Sequence, residues 1–545
     1  MSVNRIDVDH KVEPKKIVKN TFYSFLSRMS LYIYAMITSF LLARQISQEL
    51  WGFLILATSY IAIVTTVISF IPPGLDYSLI YFIPHFQSLK KMRVLKTFLL
   101  KIFFLKVFVL LVGFILFLIL INFSLTLFSI NLESYKILLY LLSPLIIING
   151  LDLFFAYFKI GYSLFKYSFI LNLIKYTASI IGYLLYFILY EIIQIEVIAL
   201  INVISLLFPL IIDCFVFFYL LFKIEPTEEI GIKFRESIKL VLNYGTYVGT
   251  QLVTAQLWDQ SKIQAIGVFE TSHWVTGYNI GNHYSEIPKL FSSAITYPVR
   301  ISFTHLYSKG EIEQVSKISK IVISYTIFII LFIAGILYLL TDFFLFAVYG
   351  DDYLVYSALV KLIILSIGYG VVTSIFNTFL YASNKVKLIP FSALINFSIR
   401  LFCFFIGLIF FGLYGAIIGL IISNMILLLL SVLFIMRIFK IRLNNVKIFL
   451  QYFIFYFSIG ISLILEYLFL NILNTKILEF FNLSIFNHLP FLTIGIFIIS
   501  YFILNLIFKI FTKKDSEYIE SIFTKEKISH KFIRKLSKIL KYILR

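Results

Sequence analysis

The chain has 545 residues, of which 60% are hydrophobic and only 14% charged. A water-soluble protein of that length needs far more polar surface, so an ordinary soluble enzyme or binding module is excluded. The formal net charge of +19 does not point to nucleic acid, because the basic residues sit in short links between apolar runs, where the positive-inside rule places them.

Apolar runs of about 18 or more residues recur along the whole length and alternating β-barrel patterning is absent, so the class is an all-α polytopic membrane protein. An N-terminal arm, residues 1–20, carries Arg5, Lys11, Lys15, Lys16 and Lys19. The first apolar run is too long for the core of a cleavable signal peptide and is expected to be the first span. Runs 21–43 and 51–71, joined by the polar link Arg44 to Glu49, form a transmembrane hairpin. It ends at Pro72-Pro73-Gly74-Leu75-Asp76 and a tail that includes Tyr81-Phe82-Ile83-Pro84. Further spans are expected over 98–122, 136–158, 167–190, 195–222, 240–260, 275–297, 319–341, 354–381, 388–411, 413–436, 448–470 and 489–511, about fourteen in all. Polar residues interrupt the fourth, seventh and eighth.

Lys and Arg concentrate in alternate links: Lys90, Lys91, Arg93 and Lys96; Lys159 and Lys166; Lys223, Lys233 and Arg235; Arg300, Lys309 and Lys317; Lys385 and Lys387; Arg437, Lys440, Arg442 and Lys447. The other links hold acids such as Glu133, Glu191, Glu196, Asp342, Asp351 and Asp352. Both termini are therefore expected in the cytoplasm, with the chain in the plasma membrane. No link is long enough for a soluble module, which argues against membrane glycosyltransferases and polymerases that use a sizeable external domain. The two cysteines, Cys214 and Cys403, lie in apolar runs and give no disulfide framework or metal site.

Spans one to six (21–222) and seven to twelve (240–436) form blocks of similar length around a cytoplasmic linker, 223–239. Both blocks start from the same side, the geometry of a parallel repeat about the membrane normal. Spans thirteen and fourteen (448–511) are then an appendage. In the basic tail, 512–545, apolar Phe532, Ile533, Leu536, Ile539, Leu540 and Ile543 recur at helical spacing opposite Lys531, Arg534, Lys535, Lys538 and Lys541. That pattern suits a helix lying on the anionic inner leaflet.

Several short motifs add a family likeness. Leu42-Ala43-Arg44 followed by Trp51-Gly52-Phe53, and Gly74-Leu75-Asp76 followed by Tyr81-Phe82-Ile83-Pro84, resemble the first-loop pattern of the polysaccharide transporter and oligosaccharide flippase families. Trp258-Asp259-Gln260 with Ile266-Gly267, Tyr349-Gly350-Asp351-Asp352-Tyr353, and Gly412-Leu413-Tyr414-Gly415-Ala416 resemble later positions of the same pattern. These families belong to a flippase superfamily that also holds lipid II flippases and multidrug and toxin extrusion transporters. The resemblance implies two six-helix lobes in a V around a central cavity, with two extra C-terminal helices. It implies transport rather than catalysis, with a polyprenyl-linked oligosaccharide as cargo, membrane lipids and glycan-assembly enzymes as partners, and a monomer. No cofactor is implied beyond coupling to H⁺ or Na⁺.

A flippase must shield a sugar chain and a lipid pyrophosphate from hydrocarbon, so it needs a polar cavity with cations. A charge near the bilayer centre costs about 2.5–3.5 kcal/mol on insertion scales and so needs a reason. Arg28, Lys175, Lys262, Lys361 and Arg400 lie within or close to expected spans and are the candidate headgroup cations. Arg28 has the alternative of snorkelling to the inner leaflet. Span eight carries Asn279, Asn282, His283, Tyr284, Ser285, Glu286 and Lys289, a face too polar for lipid and suited to sugar hydroxyls. Pro288 is expected to bend it. Asp259, Asp152 and Asp213 are candidate ion-coupling carboxylates, with Glu466 in span thirteen. The structural alternatives are an ion pair with Lys262 for Asp259, a turn cap for Asp76 and an exposed turn for Asp351 and Asp352. A cation-coupled exporter on the same scaffold is the alternative function; an exporter of cationic drugs needs a cavity rich in acids and poor in cations.

Overall fold

The computed structural model describes residues 14–124, 132–224, 231–308, 310–383, 385–439, 441, 443–473 and 491–510. Among them all regular secondary structure is helical. In chain order the α-helices are α1 (Pro14–Gln45), α2 (Gln48–Ser69), α3 (Leu75–Ser88), α4 (Met92–Ser124), α5 (Leu132–Leu142), α6 (Leu145–Gly161), α7 (Phe165–Leu189) and α8 (Ile195–Lys223). Then come α9 (Phe234–Phe269), α10 (Ser272–Ser308), α11 (Ile312–Phe344), α12 (Ser357–Leu365), α13 (Gly370–Ala382), α14 (Ile389–Ile438), α15 (Asn445–Leu473) and α16 (Phe491–Ile507). The amphipathic tail expected over 512–545 lies outside the described residues.

Eight helices among the described residues are long and apolar enough to cross a membrane. Two pairs qualify together across a 41° bend: the fourth expected span, broken between α5 and α6, and the tenth, broken between residues 365 and 370. The helices α9 and α10 stand where spans seven and eight are expected but are too polar to be among the eight. The chain is a multi-pass membrane protein. The eleventh and twelfth expected spans run together as α14, interrupted at Gly412 with φ 65° and ψ −159°. A Cβ on Gly407 would sit 2.1 Å from the Gly415 carbonyl oxygen, so the two halves of α14 pack backbone on backbone. Lipid offers no hydrophobic drive between helices, and close approach at small residues takes its place.

The chain divides into two compact units, Met1–Asn279 with Val386–Phe397, and Ile280–Lys385 with Ser398–Arg545. In the first unit α1 packs on α7, α2 on α9, α3 on α6 and α9, and α8 on α7, α6 and α5. Its centre is aromatic: Phe154, Phe155 and Phe217 are fully buried around Phe103, Phe158 packs on Phe217, and Phe98 packs on Phe82 and Phe86. In the second unit α15 and α16 pack on each other and on α11. There the hydroxyls of Tyr452 and Tyr456 donate to the carbonyls of Gly368 (2.9 Å) and Leu365 (3.2 Å), at the break between α12 and α13.

The helix α3 departs from the sequence reading, which made residues 75–84 the tail of a hairpin. Gly74 takes the left-handed conformation (φ 76°) that starts α3. Its Cβ would lie 1.9 Å from the Gly245 carbonyl carbon of α9, so no side chain fits there. Leu75, Asp76, Tyr77, Ser78, Leu79, Phe82, Ile83 and Phe86 are all buried. At 14 residues the helix is too short to span, and hydropathy alone does not reveal it.

Candidate functional site

A stripe of polar residues on α7 joins four helices of the first unit. Asn172, Lys175, Tyr176, Ser179 and Tyr183 recur at spacings of three and four, which places them on one face. Asn172 donates to Ser27 Oγ of α1 at 2.7 Å. Lys175 Nζ meets Asp152 Oδ2 of α6 at 2.9 Å. Tyr176 stacks on Tyr34 of α1, ring centroids 4.7 Å apart. Ser179 donates to Ser205 Oγ of α8 at 2.7 Å, and the Tyr183 hydroxyl donates to Asn202 Oδ1 of α8. The sequence reading singled out only Lys175 from this stripe; the i, i+3, i+4, i+7 recurrence of polar residues inside an apolar run is the signal that finds the rest.

Charges extend the seam. Asp152 and Lys159 stand seven residues apart on α6, about two turns, on one face. Lys159 Nζ meets Asp213 Oδ2 of α8 at 2.7 Å. Asp152 also feels Lys159, and Asp213 also feels Lys175 and Asp152. Two cations and two anions thus form one network across α6, α7 and α8, with no net charge. Access is unequal. The Lys159 and Asp213 side chains are 5% and 4% exposed, those of Lys175 and Asp152 21% and 38%. Lys159 was expected in a polar link; instead it is the partner that lets Asp213 be buried, since an uncompensated charge inside a protein costs about 3–5 kcal/mol.

A second buried pair corrects the expected turn cap at Asp76. Asp76 is the second residue of α3, and its Oδ2 meets Lys106 Nζ of α4 at 2.7 Å, with side chains 2% and 0% exposed. Beside it Thr66, Ser69, Gly74, Asp76 and Gln256 line a pocket with room for about one water molecule. Lys106 is the last charge before the uncharged apolar run 107–124 of α4, a signal present in the sequence.

The other candidates fall into separate places. Lys262 pairs with Asp259 one turn earlier on α9 at 2.9 Å and lies 5.2 Å from the Trp258 ring centre. The Asp259 side chain is 64% exposed. Lys361 of α12 pairs with Asp342 of α11 at 2.6 Å. Three of the five candidate cations are therefore tied to carboxylates, and the cation and ion-coupling candidates meet in the pairs Lys175–Asp152 and Lys262–Asp259. Arg28 is exposed on α1 beside Ser27, and the ion pairs among the described residues leave it out. Arg400 is half-buried in α14. Asn279, Asn282, His283 and Glu286 are half-buried along α10, where Glu286 pairs with Lys289 at 2.5 Å. Asp351 and Asp352 are exposed in a short 3-10 turn, and Glu466 is half-buried in α15.

Known proteins resemble this chain at two levels. The family model described as polysaccharide biosynthesis protein matches residues 17–302, just over half of the chain. No curated protein matches it. Among solved structures, the lipid II flippase MurJ in an inward closed conformation aligns with TM-score 0.63 at 17% identity, covering 90% of this chain and 99% of that one. The Vibrio cholerae MATE transporter VcmN in its bent form aligns with TM-score 0.55 at 14% identity, covering 78% and 97%. An inward-facing multidrug resistance MATE family transporter of the MOP superfamily aligns with TM-score 0.56 at 12% identity, covering 75% and 94%. At these identities the likeness is one of fold.

Proposed function

The chain belongs to the polysaccharide biosynthesis protein family, and on that premise we propose that it flips a polyprenyl-(pyro)phosphate-linked oligosaccharide across the cytoplasmic membrane by alternating access, for cell-surface polysaccharide or glycoprotein assembly. The observation that carries the reading is the polar seam of α7, with a lysine accessible inside a transmembrane helix. The lipid tail of such a cargo can stay in hydrocarbon; its sugars and phosphates cannot. Amides, hydroxyls and tyrosine faces such as those of Asn172, Tyr34 and Tyr176 suit sugar hydroxyls and rings. Lysine binds phosphate as a point charge, and arginine binds it through a planar fork. In this reading Arg28 supplies a guanidinium group and Lys175 an ammonium group to the headgroup within the first unit, and Arg400 is a candidate cation of the second.

The test is delivery of a short-chain polyprenyl-pyrophosphoryl oligosaccharide to the outer leaflet of proteoliposomes, scored by lectin access. The reading expects delivery above the empty-liposome rate, impaired in Arg28→Ala and in Arg400→Ala at normal expression. Proton- or Na⁺-driven efflux of a cationic dye without such delivery would move the chain to the exporter reading, with Asp259 as the next residue to test.

A further inference from the structure

The open pair of the α6–α8 network raises a question that a binding lysine alone does not. If Lys175 serves an anionic headgroup, a carboxylate already occupies it: Asp152 Oδ2 stands 2.9 Å from its Nζ. We infer that Asp152 is an internal competitor for Lys175 that sets the affinity threshold at this lysine, which a phosphate or pyrophosphate headgroup passes and a carboxylate or a neutral one does not. The inference rests on the flippase reading for the lipid character of the ligand; the exchange itself rests on the network.

Three features of the network support exchange at this pair. The first is access, because Lys175 and Asp152 keep 21% and 38% of their side-chain surface while Lys159 and Asp213 keep 5% and 4%. A ligand reaches the first pair and not the second. The second is charge. When a ligand takes Lys175, Asp152 is not stranded, because Lys159 on the same face of α6 also attracts it. Lys159 stays anchored to Asp213 at 2.7 Å, so the chain of charges becomes ligand, Lys175, Asp152, Lys159, Asp213, with signs alternating throughout. The third is the setting. The stacked rings of Tyr34 and Tyr176 flank the pair, Tyr34 interacting with Lys175 and Tyr176 with Asp152. Their hydroxyls are donors for the additional oxygens of a phosphate.

The selectivity follows from competition. A carboxylate ligand offers Lys175 the group it already has and gains nothing by the swap. A pyrophosphate carries more charge and more acceptor oxygens than a carboxylate, and hydrogen bonds between ionised partners are the strong ones. A neutral headgroup cannot displace Asp152 at all. Neutralising Asp152 therefore makes Lys175 available to every anion, strengthening each by the same factor, and lets a carboxylate bind where the competitor excludes it.

The experiment measures binding of farnesyl pyrophosphate and of a farnesyl carboxylate to the full-length protein in nanodiscs. Wild type is expected to prefer the pyrophosphate by roughly tenfold, equal to about 1.4 kcal/mol. Asp152→Asn is expected to tighten both ligands by a common factor of roughly tenfold, equal to about 1.4 kcal/mol, with their ratio nearly unchanged. Asp152→Glu, which keeps the competitor, restores the wild-type affinities. Lys175→Met with Asp152→Asn, a neutral pair of similar volume, folds and shows no site. No tightening of either ligand in Asp152→Asn, loss of pyrophosphate binding there equal to that in Lys175→Met, or a wild type that does not bind the pyrophosphate overturns the inference. Tightening with no outer-leaflet delivery would leave the exchange standing and remove the flippase reading. Delivery with no effect of Asp152→Asn on either affinity would do the reverse.

Discussion

The Lys106–Asp76 pair between α3 and α4 and the Lys175–Asp152 pair between α6 and α7 use the same two groups at nearly the same distance, 2.7 and 2.9 Å. Their surroundings differ. The first is sealed, its side chains 0% and 2% exposed, with α9 pressed backbone to backbone against Gly74 at the start of α3. The second is open, 21% and 38% exposed, and belongs to a four-charge network that can redistribute. A sealed pair has no water to fall back on, so each charge depends on its partner. An open pair can lose one partner to solvent or to a ligand at little cost. The difference separates a pair that holds helices together from a pair that can trade partners.

Mutation of the sealed pair should have the largest effect. Lys106→Ala leaves Asp76 buried and alone, and a loss of about 3–5 kcal/mol is expected, read as a fall in melting temperature and folded yield in detergent. The double change Lys106→Met with Asp76→Asn should recover most of it. A mild single effect would mean that the pair is hydrated after all, which erases the contrast. Next in size is Gly245→Val. Its Cβ would lie 2.2 Å from the Gly74 carbonyl oxygen, and overpacking of this kind costs about 1–3 kcal/mol. A wild-type melting curve would show that the seal of α9 on α3 is loose.

A sealed but uncharged contact sets the scale for the rest. Tyr452→Phe removes the hydroxyl that caps the Gly368 carbonyl at the break between α12 and α13, and a loss of about 0.5–1.5 kcal/mol is expected. For the open pair the order of effects inverts. Lys175→Ala is expected to cost no more than about 1 kcal/mol of stability while lowering lipid-linked oligosaccharide delivery by roughly tenfold, about 1.4 kcal/mol of barrier or binding. A stability loss as large as that of Lys106→Ala, with delivery falling only in proportion to folded protein, would make both pairs architectural. The smallest effect is expected at Asp351→Ala, in an exposed turn, with melting temperature and delivery both unchanged.

How much of this was legible in the sequence depends on range. Hydropathy located the helices closely, as with the expected span 167–190 and the observed Phe165–Leu189, because a transmembrane helix is a local property of about twenty residues. The kink at Gly412 was also legible, as the boundary between the expected spans 388–411 and 413–436. The helix α3 was not, because 14 residues with Pro84 inside look like a tail until α6 and α9 cover them. Candidate charges were found one at a time, yet their meaning lies in pairing across 23 residues for Lys175 with Asp152, 30 for Lys106 with Asp76 and 54 for Lys159 with Asp213. Lys159 illustrates the loss. It sits at the end of a span where a loop charge is expected, and only the approach of α8 turns it into a buried partner.

The most direct test of the contrast is lysine reactivity. The full-length protein in nanodiscs is treated briefly with an acetylating reagent, with and without farnesyl pyrophosphate, and Lys106, Lys159 and Lys175 are quantified by mass spectrometry. The account predicts that Lys175 reacts and is protected by the pyrophosphate, while Lys106 and Lys159 stay unmodified in both conditions. A Lys175 as inert as Lys106, or one whose labelling is indifferent to the pyrophosphate, would contradict it.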